Sequence, residues 1–305
     1  MTEPAGDEVR RSAYVALLGA PNAGKSTLLN GLVGAKVSIV TPKVQTTRRR
    51  LLGITVVEAV QLVFVDTPGI FAPRRRLDRA MVQAAWRGAA EADIVVVLVD
   101  ATRTKGDVDT QTIVAGLKQA KRRAILALNK SDVAPRENLL RLAKTLDADG
   151  IFDAVFMLSA LTGDGVEDLK AALLKLAPAG PWHFPADQLA DAPERFLAAE
   201  ATREQLFLQL HQEVPYALTV EPETWEDFVD GSVRIGQVIF VERDSQKAIV
   251  LGHGGQRIKA VREAAQHEIE AMLGRRVHLF LQVTVRQGWA DDPERFQALG
   301  LNYEA

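Results

Sequence analysis

The chain has 305 residues, 47% of them hydrophobic, and a formal net charge of −2. This length suffices for about two domains with buried cores, and the charge gives no sign of nucleic-acid binding by the chain as a whole. There is no cysteine, which excludes disulfides and thiolate metal sites, and the 5 histidines show no zinc-ligand spacing. We therefore expect a protein of the reducing cytoplasm.

No segment has the length and apolarity of a membrane anchor. The longest apolar run, residues 94–99, is far shorter than the roughly 18 residues that a membrane span needs. The first residues include Glu3, Asp7 and Glu8 and lack an apolar core, which is unlike a secretory signal. A soluble protein is expected.

The first part of the chain alternates strand and helix patterns, which is typical of an α/β fold. We expect a mixed, mostly parallel sheet with helices on both faces, and two adjacent strand patterns predict an antiparallel pair at its edge. Ligands of such sheets bind at the carboxyl ends of the strands. The predicted strands are residues 14–18, 51–57, 60–65, 94–100, 124–128 and 155–158, and the predicted helices are 26–33 and 77–91.

The first functional motif lies where the first strand passes into the first helix. It matches G-x-x-x-x-G-K-[ST], a loop whose backbone N–H groups can wrap a pyrophosphate at the positive end of a helix dipole. Lys25 would contact the β and γ phosphates, and Ser26 would place its hydroxyl on Mg²⁺. A glycine-rich turn with a surface lysine is the alternative. The loop comprises Gly19, Ala20, Pro21, Asn22, Ala23, Gly24, Lys25 and Ser26.

A second motif follows the strand pattern 60–65. Asp66, Thr67, Pro68 and Gly69 form an Asp-x-x-Gly element. A carboxylate at this place can hold Mg²⁺ through water, and the glycine N–H can meet a γ phosphate. The element is a common turn by itself, and its position straight after a strand is what indicates function.

A third motif, Asn129, Lys130, Ser131 and Asp132, follows the strand pattern 124–128. A carboxylate at Asp132 can accept hydrogen bonds from N1 and N2 of guanine, whereas adenine presents a lone pair at N1. Asn129 can bond the purine edge and tie loops together, and Lys130 can lay its aliphatic stem along the base. The tetrad predicts guanine selectivity; a polar loop that caps the next helix is the alternative.

The next strand pattern ends in Ser159, Ala160 and Leu161, whose N–H groups could bond the guanine oxygen. In this order the four elements resemble the translation-factor-like GTPases, over residues 13 to about 176. The resemblance implies a threonine that closes over the γ phosphate and joins the Mg²⁺ shell. Thr46 and Thr47 are the candidates and Thr47 is favoured, with a β-rich connecting loop as the alternative. The predicted metal ligands are Ser26, Thr47 and Asp66.

One residue departs from the Ras-like pattern. The position after Gly69 holds a water-orienting glutamine in Ras-like proteins, and here it is Ile70, which cannot hydrogen-bond water. Some GTPases with a hydrophobic residue there recruit K⁺ through an asparagine of the phosphate loop, and Asn22 has the matching position. We expect slow hydrolysis, accelerated by K⁺ or by a partner. The predicted cofactors are GTP/GDP and Mg²⁺, with K⁺ as a further candidate, and the predicted catalytic residues are Lys25, Thr47, Gly69 and Asn22.

Prolines at 178, 181, 185 and 193 stop the helical patterns and predict a linker. We expect an N-terminal tail at residues 1–12, a GTPase domain at 13–177, a linker at 178–193, and a second domain with a C-terminal tail at 194–305. In the second domain the patterns predict helices at 194–211 and 258–272 and strands at 216–220, 233–241 and 277–285, with a short apolar run at 249–251.

A Gly-x-x-Gly element between two structured segments of the second domain resembles the KH domain, where such a loop clamps the phosphates of single-stranded nucleic acid. Residues 234–288 contain nine basic and five acidic residues, a local net charge of +4 in a chain of −2. A plain turn and a solvated helix face are the alternatives. The resemblance implies a smaller α+β KH domain of the second type. The candidate RNA-binding residues are Gly252, His253, Gly254, Gly255, Arg257, Lys259 and Arg262.

The whole chain resembles the Era-type GTPases of bacteria, a family with an N-terminal GTPase domain and a C-terminal KH domain. The resemblance implies a GTP-hydrolysing switch that binds the 3′ end of 16S ribosomal RNA and assists maturation of the 30S subunit. It also implies a cytoplasmic monomer, with peripheral association at the inner face of the cell membrane as a further location. His253-Gly254 departs from relatives that often carry a lysine in this loop. The matching segments are residues 45–48, 66–70, 183–185, 214–216 and 288–292.

Two other classes of protein use the same phosphate loop. A P-loop kinase would need an acceptor-substrate lid, for which the sequence shows no pattern, and it would leave the tetrad at 129–132 unexplained. A non-catalytic, nucleotide-gated RNA-binding assembly factor agrees with Ile70, because the usual water-positioning group is missing. Multiple-turnover phosphate release distinguishes this factor from a true GTPase.

Overall fold

The computed structural model describes residues 9–43, 47, 51–73, 75–103, 107–148, 150–210, 214–289, 292–298 and 300–304. The backbone but not the side chains of residues 294, 295 and 298 is included in this description. None of the helices in these ranges is long and apolar enough to cross a bilayer.

The described residues group into two compact units. The first unit takes its residues from Met1–Ser38, Thr47–Asp191 and Leu299–Ala305, and the second takes them from Ile39–Thr46 and Ala192–Ala298. Each unit therefore includes a short segment that lies far away in the sequence from the rest of that unit. The contiguous domain boundaries predicted from the sequence remain a prediction.

The first unit is built on a six-stranded sheet with strand order β2-β3-β1-β4-β5-β6. Neighbouring strands are parallel except for the β2–β3 pair, which is antiparallel and lies at one edge. This confirms the mostly parallel sheet expected from the sequence. The strands are β1 (Arg11–Gly19), β2 (Leu51–Val57), β3 (Val60–Asp66), β4 (Ile94–Asp100), β5 (Ala124–Asn129) and β6 (Phe152–Met157).

Helices cover both faces of this sheet because its central strands are apolar on both sides. Alternate residues of β4 belong to two separate core clusters: Val96 packs with α1 and α5, and Val97 packs with α2, α3 and α4. Burial on both faces accounts for the continuous apolar run of this strand. The helices are α1 (Lys25–Val33), α2 (Arg76–Glu91), α3 (Val108–Gln119), α4 (Arg136–Asp147) and α5 (Val166–Leu176).

The proline-rich segment after α5 belongs to the first unit and is hydrogen-bonded to residues of β1 and β3. Gln61 donates from Nε2 to the carbonyl of Phe184 (2.8 Å) and accepts the N–H of His183 at Oε1 (2.8 Å). The Ser12 hydroxyl donates to the carbonyl of Pro181 (2.8 Å). Gln61 is fully buried, and these bonds satisfy both ends of its amide.

The second unit has a three-stranded sheet with order β7-β8-β9, in which β7 and β8 are antiparallel and β8 and β9 are parallel. Its helices α6, α7 and α8 contribute to cores on one face of the sheet. The apolar run 249–251 is the last turn of α7. The elements are α6 (Glu194–Gln209), β7 (Leu218–Asp227), β8 (Val233–Val241), α7 (Asp244–Leu251), α8 (Gln256–Leu273), β9 (Val277–Val285) and α9 (Pro293–Ala298), with a 3₁₀ turn at Val214–Ala217.

Candidate nucleotide site and candidate RNA-binding loop

The phosphate loop joins the carboxyl end of β1 to the amino end of α1. Gly24 has φ +98°, and a Cβ at this position would lie 2.3 Å from Nδ2 of Asn129. A Cβ on Gly19 would lie 2.5 Å from the carbonyl oxygen of Leu98. Glycine is therefore required at both ends of the loop, at Gly24 for its backbone conformation as well as for space. The loop N–H groups lie at the start of α1, where the helix dipole favours an anion.

Lys25 is almost fully buried inside this loop, at 7% exposure. Its Nζ donates to the carbonyl oxygens of Gly19 and Ala20, both at 3.0 Å. Burial lowers the pKa of Lys25 to about 8, and the nearby Asp66 carboxylate partly opposes this shift. A buried ammonium whose hydrogen bonds within the described residues are to carbonyl groups attracts a polyphosphate strongly.

Hydroxyl groups from three segments converge on Asp66 at the end of β3. Ser38, Ser26 and Thr47 each donate to its Oδ2, at 2.8, 3.2 and 3.2 Å. The hydroxyl oxygens of Ser26 and Thr47 are 3.1 Å apart. Burial raises the pKa of Asp66, and the bonds from Ser38, Ser26 and Thr47 and the charge of Lys25 act against this rise.

The same group of oxygens fits a magnesium ion. Oδ1 of Asp66 is buried and has no hydrogen-bond partner among the described residues. Uncharged hydroxyls and one carboxylate, all oxygen donors, form the ligand set that Mg²⁺ prefers when phosphate oxygens complete its shell. No group of three or more His, Cys, Asp or Glu side chains that could hold a metal ion occurs within the described ranges. The donor set therefore depends on the substrate phosphates for most of its negative charge.

The Asp-x-x-Gly turn lies against the phosphate loop. A Cβ on Gly69 would come within 3.0 Å of the Pro21 nitrogen, and the N–H of Ile70 donates to the carbonyl of Gly19 (3.2 Å). Thr67 turns its hydroxyl inwards, to the carbonyl of Leu17 (2.7 Å). Pro68, between them, is buried. The side chain of Ile70 is 1% exposed and belongs to the core cluster beneath the sheet, so this position supplies no polar group to the site.

Asn129 at the end of β5 connects two loops. Its Nδ2 donates to the carbonyl of Ala23 (2.7 Å), and its Oδ1 accepts the N–H of Ala160 (2.9 Å). The phosphate loop and the loop at Ser159–Leu161 are thereby held at the same edge of the sheet. The predicted role of Asn129 in tying loops together corresponds to these two bonds.

Lys130 has φ +69° and forms an ion pair with Asp100, Nζ to Oδ2 at 2.6 Å. Burial alone would raise the pKa of Asp100, but the hydrogen bonds from Lys130 and Thr102 outweigh burial and lower it. Asp132 is exposed, so its carboxylate is accessible to a ligand that enters from solution. Nearby, the N–H of Ser131 donates to Leu158 (3.1 Å), and Leu161 is 80% exposed.

The Gly-x-x-Gly element of the second unit connects α7 and α8. Gly252, Gly254 and Gly255 have φ values of +71°, +57° and +77°. A Cβ on Gly254 or Gly255 would meet no atom within 4 Å, so packing does not require glycine at these positions. Glycine is favoured there because it adopts positive φ readily and leaves the backbone accessible. His253 is exposed at the tip of the loop. Backbone groups are thus open to a ligand at the amino end of the 18-residue helix α8.

The three basic residues predicted for RNA contact differ in their surroundings. Arg257 is exposed and donates from Nη1 to the carbonyl of Ile249 (2.8 Å), which closes the loop. Arg262 bonds Gln266 (3.1 Å) and pairs with Glu263 (3.3 Å). Lys259 is exposed on α8.

The sequence motifs did not reveal two residues of the nucleotide site. Ser38 contacts Asp66, and Asp100 contacts Lys130. Asp100 ends a predicted strand and could have been found by that position, as Asp66 and Asn129 were. Ser38 lies in a segment without a motif, and no local pattern indicates it. Thr46, the other candidate threonine, lies outside the described residues.

The fold and the two sites define a P-loop GTPase domain followed by a KH domain. The family described as 50S ribosome-binding GTPase matches residues 14–130, and the KH domain family matches residues 213–290. The chain is similar to GTPase Era of Sinorhizobium medicae, with 58% identity over 96% of the chain and 94% of that protein. It is also similar to GTPase Era of Dinoroseobacter shibae, with 56% identity over 96% of each.

Two solved structures have the same fold over nearly the whole chain. Era in complex with MgGDPNP and nucleotides 1506–1542 of 16S ribosomal RNA has a TM-score of 0.89 and 35% identity, covering 95% of this chain and 99% of that one. A single-residue variant of Aquifex aeolicus Era bound to GDP·AlF₄⁻ has a TM-score of 0.89 and 36% identity, with the same coverage. The chain belongs to the Era family of GTPases, and it hydrolyses GTP.

Proposed function

We propose that this GTPase is an RNA-directed switch that binds the 3′ region of 16S ribosomal RNA through its KH domain and assists maturation of the 30S subunit. The observation that carries the proposal is the Gly252–Gly255 loop, whose backbone has open space around Gly254 and Gly255 and leads into the amino end of α8. Such a loop suits the phosphates of single-stranded RNA. The likeness over 95% of the chain to an Era structure in complex with a 16S fragment supports this choice of RNA.

The nucleotide would lie across the carboxyl ends of β1, β3, β5 and β6. The phosphate loop and Lys25 would hold the β and γ phosphates, Asp132 would accept from N1 and N2 of guanine, and the N–H groups of residues 159–161 would meet its oxygen. Ser26, Thr47 and Asp66 would hold Mg²⁺, which neutralises charge on the β and γ phosphates when bound. Lys25 and the Gly69 N–H would stabilise the negative charge that develops on the γ phosphate in the transition state.

The role of Asp132 has a direct chemical test. An amide in place of the carboxylate can donate to a base that has oxygen instead of an amino group at C2. Asp132→Asn should therefore weaken GTP binding and improve xanthosine triphosphate binding, with hydrolysis following the same change of preference. If GTP remains the preferred substrate of the variant, Asp132 does not read the base.

We further propose that Asn22 recruits K⁺ as a supplementary positive charge during hydrolysis. Ile70 is buried in the core and provides no polar group to orient water, so another source of transition-state stabilisation is needed. Asn22 lies in the phosphate loop with φ +63°. Hydrolysis by the purified chain should be faster in KCl than in NaCl at equal ionic strength, and equal rates would exclude the potassium role.

The RNA and ribosome proposals are tested with the full chain. A labelled single-stranded fragment from the 3′ end of 16S ribosomal RNA should bind more tightly with a non-hydrolysable GTP analogue than with GDP, because the γ phosphate orders the segments near Thr47 and Gly69. In the presence of the analogue, the chain should sediment with 30S subunits and not with 50S subunits. Absence of RNA binding in both nucleotide states would overturn the RNA proposal and leave the GTPase assignment intact.

We propose a cytoplasmic monomer, with peripheral association at the inner face of the membrane as a second location. Cell fractionation at low and high salt tests both locations, and sedimentation equilibrium tests the oligomeric state.

A further inference from the structure

Within the first unit, helix α3 contacts the segment that follows the Asp-x-x-Gly turn. Asp109, in the first turn of α3, accepts a hydrogen bond from the N–H of Ala72. Gly69 lies three residues before Ala72. The N–H of Ile70, between them, donates to the carbonyl of Gly19 in the phosphate loop (3.2 Å). Asp109 therefore holds one end of a short segment whose other end is bonded to the phosphate loop.

The surroundings of the Asp109 carboxylate favour this bond. Burial and the neighbouring charge of Asp107 raise the pKa of Asp109, and the charge of Arg103 and the N–H of Ala72 act against this rise. A half-buried carboxylate has lost part of its hydration, and a hydrogen bond from the backbone replaces some of it. The carboxylate and the segment at Ala72 therefore stabilise each other.

A second contact joins α3 to helix α2. The indole of Trp86, on α2, lies over Gly116 of α3, and a Cβ on Gly116 would be 2.4 Å from Cη2 and 2.8 Å from Cζ2 of the ring. The ring does not move aside freely, because it packs against the core cluster between the sheet and the helices. Glycine inside a helix costs about 1 kcal/mol relative to alanine. The close approach of the two helices is the feature that requires glycine at this position.

Helix α2 in turn lies beside the Asp-x-x-Gly turn. A Cβ on Gly88 would be 3.4 Å from Cγ2 of Thr67, so the backbone of α2 passes close to that turn. Trp86 and Ile70 pack in the same core cluster. Because a close-packed core transmits displacements, a shift of Trp86 would also move the turn that carries the N–H of Gly69.

We propose that Asp109 and Gly116 are positioning residues for GTP hydrolysis. Through Ala72 and Trp86 they hold the Asp-x-x-Gly turn in place, so that the N–H of Gly69 stays beside the phosphate loop. Neither residue belongs to a nucleotide-binding motif of the sequence. The inference rests on the proposed role of the Gly69 N–H towards the γ phosphate.

The test uses the full chain and four measurements: affinity for GDP, affinity for a non-hydrolysable GTP analogue, the single-turnover hydrolysis rate and the thermal unfolding midpoint. Asp109→Ala removes the acceptor of the Ala72 bond, and Gly116→Ala adds a methyl group that displaces the Trp86 ring. Each variant should lower the analogue affinity and the hydrolysis rate by about tenfold. GDP affinity should change less than about twofold, because GDP has no γ phosphate for the Gly69 N–H to meet.

Two further variants distinguish positioning from a general loss of stability. Asp109→Asn retains an acceptor oxygen for the N–H of Ala72. Trp86→Leu combined with Gly116→Ala makes room for the added methyl group. Both should return the analogue affinity to within about threefold of the native value.

Two control variants change helices of the first unit without altering the proposed contacts. Gly31→Ala also adds a methyl group to a helical glycine, but a Cβ there would have an ordinary contact with Cγ1 of Val166 at 3.7 Å. Thr112→Ala removes an exposed hydroxyl of α3 that donates to the carbonyl of Val108 within the helix (2.9 Å). Both controls should leave the ratio of analogue to GDP affinity unchanged, even where the unfolding midpoint shifts.

The inference and the role of Gly69 can fail separately. If Gly69→Ala leaves the analogue affinity unchanged, the Gly69 N–H does not bind the γ phosphate, and the inference falls with that role. If Gly69→Ala weakens analogue binding but Asp109→Ala and Gly116→Ala do not, α3 does not position the turn and the inference alone is overturned. Equal losses of analogue and GDP affinity in these two variants, or faster hydrolysis in either, would also overturn it.

Discussion

Ser38 donates a hydrogen bond from its hydroxyl to Oδ2 of Asp66 at 2.8 Å. Both side chains are buried, and this is the shortest of the three hydroxyl contacts to that oxygen. The bond joins the end of β3 to the point where the chain leaves the first unit. It therefore helps to fix the position of the carboxylate that we propose as a magnesium ligand.

Removing the Ser38 hydroxyl should lower the stability of the nucleotide-free protein. We expect Ser38→Ala to lower the free energy of unfolding by about 1.5–3 kcal/mol, the usual contribution of a hydrogen bond to a charged group. The pKa of Asp66 should rise further, because the Ser38 bond is the largest of the effects that lower it. Urea titration at neutral pH measures the stability change.

Ser131→Ala is the matched control for that experiment. The Ser131 hydroxyl oxygen is buried and has no hydrogen-bond partner among the described residues, so its removal should change the stability of the nucleotide-free chain little. If both serine variants lose the same stability, the Ser38–Asp66 bond contributes nothing specific.

Nucleotide binding should take up a proton near pH 8. Burial lowers the pKa of Lys25 to about 8, so the nucleotide-free site is about half protonated at that pH. A bound polyphosphate favours the ammonium form and raises the pKa, and GDP affinity should therefore fall by up to about tenfold per unit as the pH rises above 8. Calorimetric titration in two buffers of different ionisation enthalpy measures the uptake, which should be much smaller at pH 7. Proton release at pH 8 would contradict this assignment.

The Lys130–Asp100 pair should support guanine binding. Asp100→Asn keeps an oxygen for Thr102 but removes the charge that holds Lys130 at 2.6 Å. We expect GDP affinity to fall roughly tenfold, since a charged hydrogen bond that orients a ligand contact is lost. Asp153→Asn is the control: it breaks the exposed Arg123–Asp153 pair, and it should leave GDP affinity unchanged.

The same pair has a predictable pH dependence. The folded-state pKa of Asp100 is lowered, so its stabilising contribution is present above the unfolded-state value near 4 and is lost as the pH falls through the folded value. The stability difference between the native chain and Asp100→Asn should therefore be present at pH 7 and shrink below about pH 4. A stability difference that grows as the pH falls would contradict a lowered pKa of Asp100 in the folded chain.

A negative charge introduced into the Gly252–Gly255 loop should weaken RNA binding without unfolding the second unit. Gly254 has φ +57° and free space around a Cβ, and both Asp and Asn tolerate this backbone conformation. Gly254→Asp should therefore lower affinity for a single-stranded 16S fragment at least about tenfold by repelling phosphates, whereas Gly254→Asn should lower it much less.

Fluorescence anisotropy at fixed salt measures the two affinities, and GTP hydrolysis without RNA should be the same in both variants. If the aspartate and asparagine variants bind the RNA equally, the phosphates do not approach this loop.

The sequence by itself determined the order and nature of the elements that hold the nucleotide. Each polar motif follows an apolar strand run, and parallel strands bring their carboxyl ends to one edge, so the sequence alone predicts that Asp66 and Asn129 lie at the same edge of the sheet. The glycines at positions 24 and 254 also stand in the sequence as parts of their loop motifs, and the positive φ of each explains why glycine suits these positions.

Only the tertiary structure decided which residues complete the site. Ser38 belongs to no local motif, and its role depends on Asp66, 28 positions away. The position of Asp100 at the end of a strand could be read from the sequence, but its pairing with Lys130, 30 positions away, could not. The sequence indicated that Ile70 cannot hydrogen-bond water, and the fold shows in addition that its side chain is packed in the core. Local patterns report periodicity and backbone conformation, whereas long-range contacts arise when separate segments pack together. The bond between Ser38 and Asp66 is such a contact.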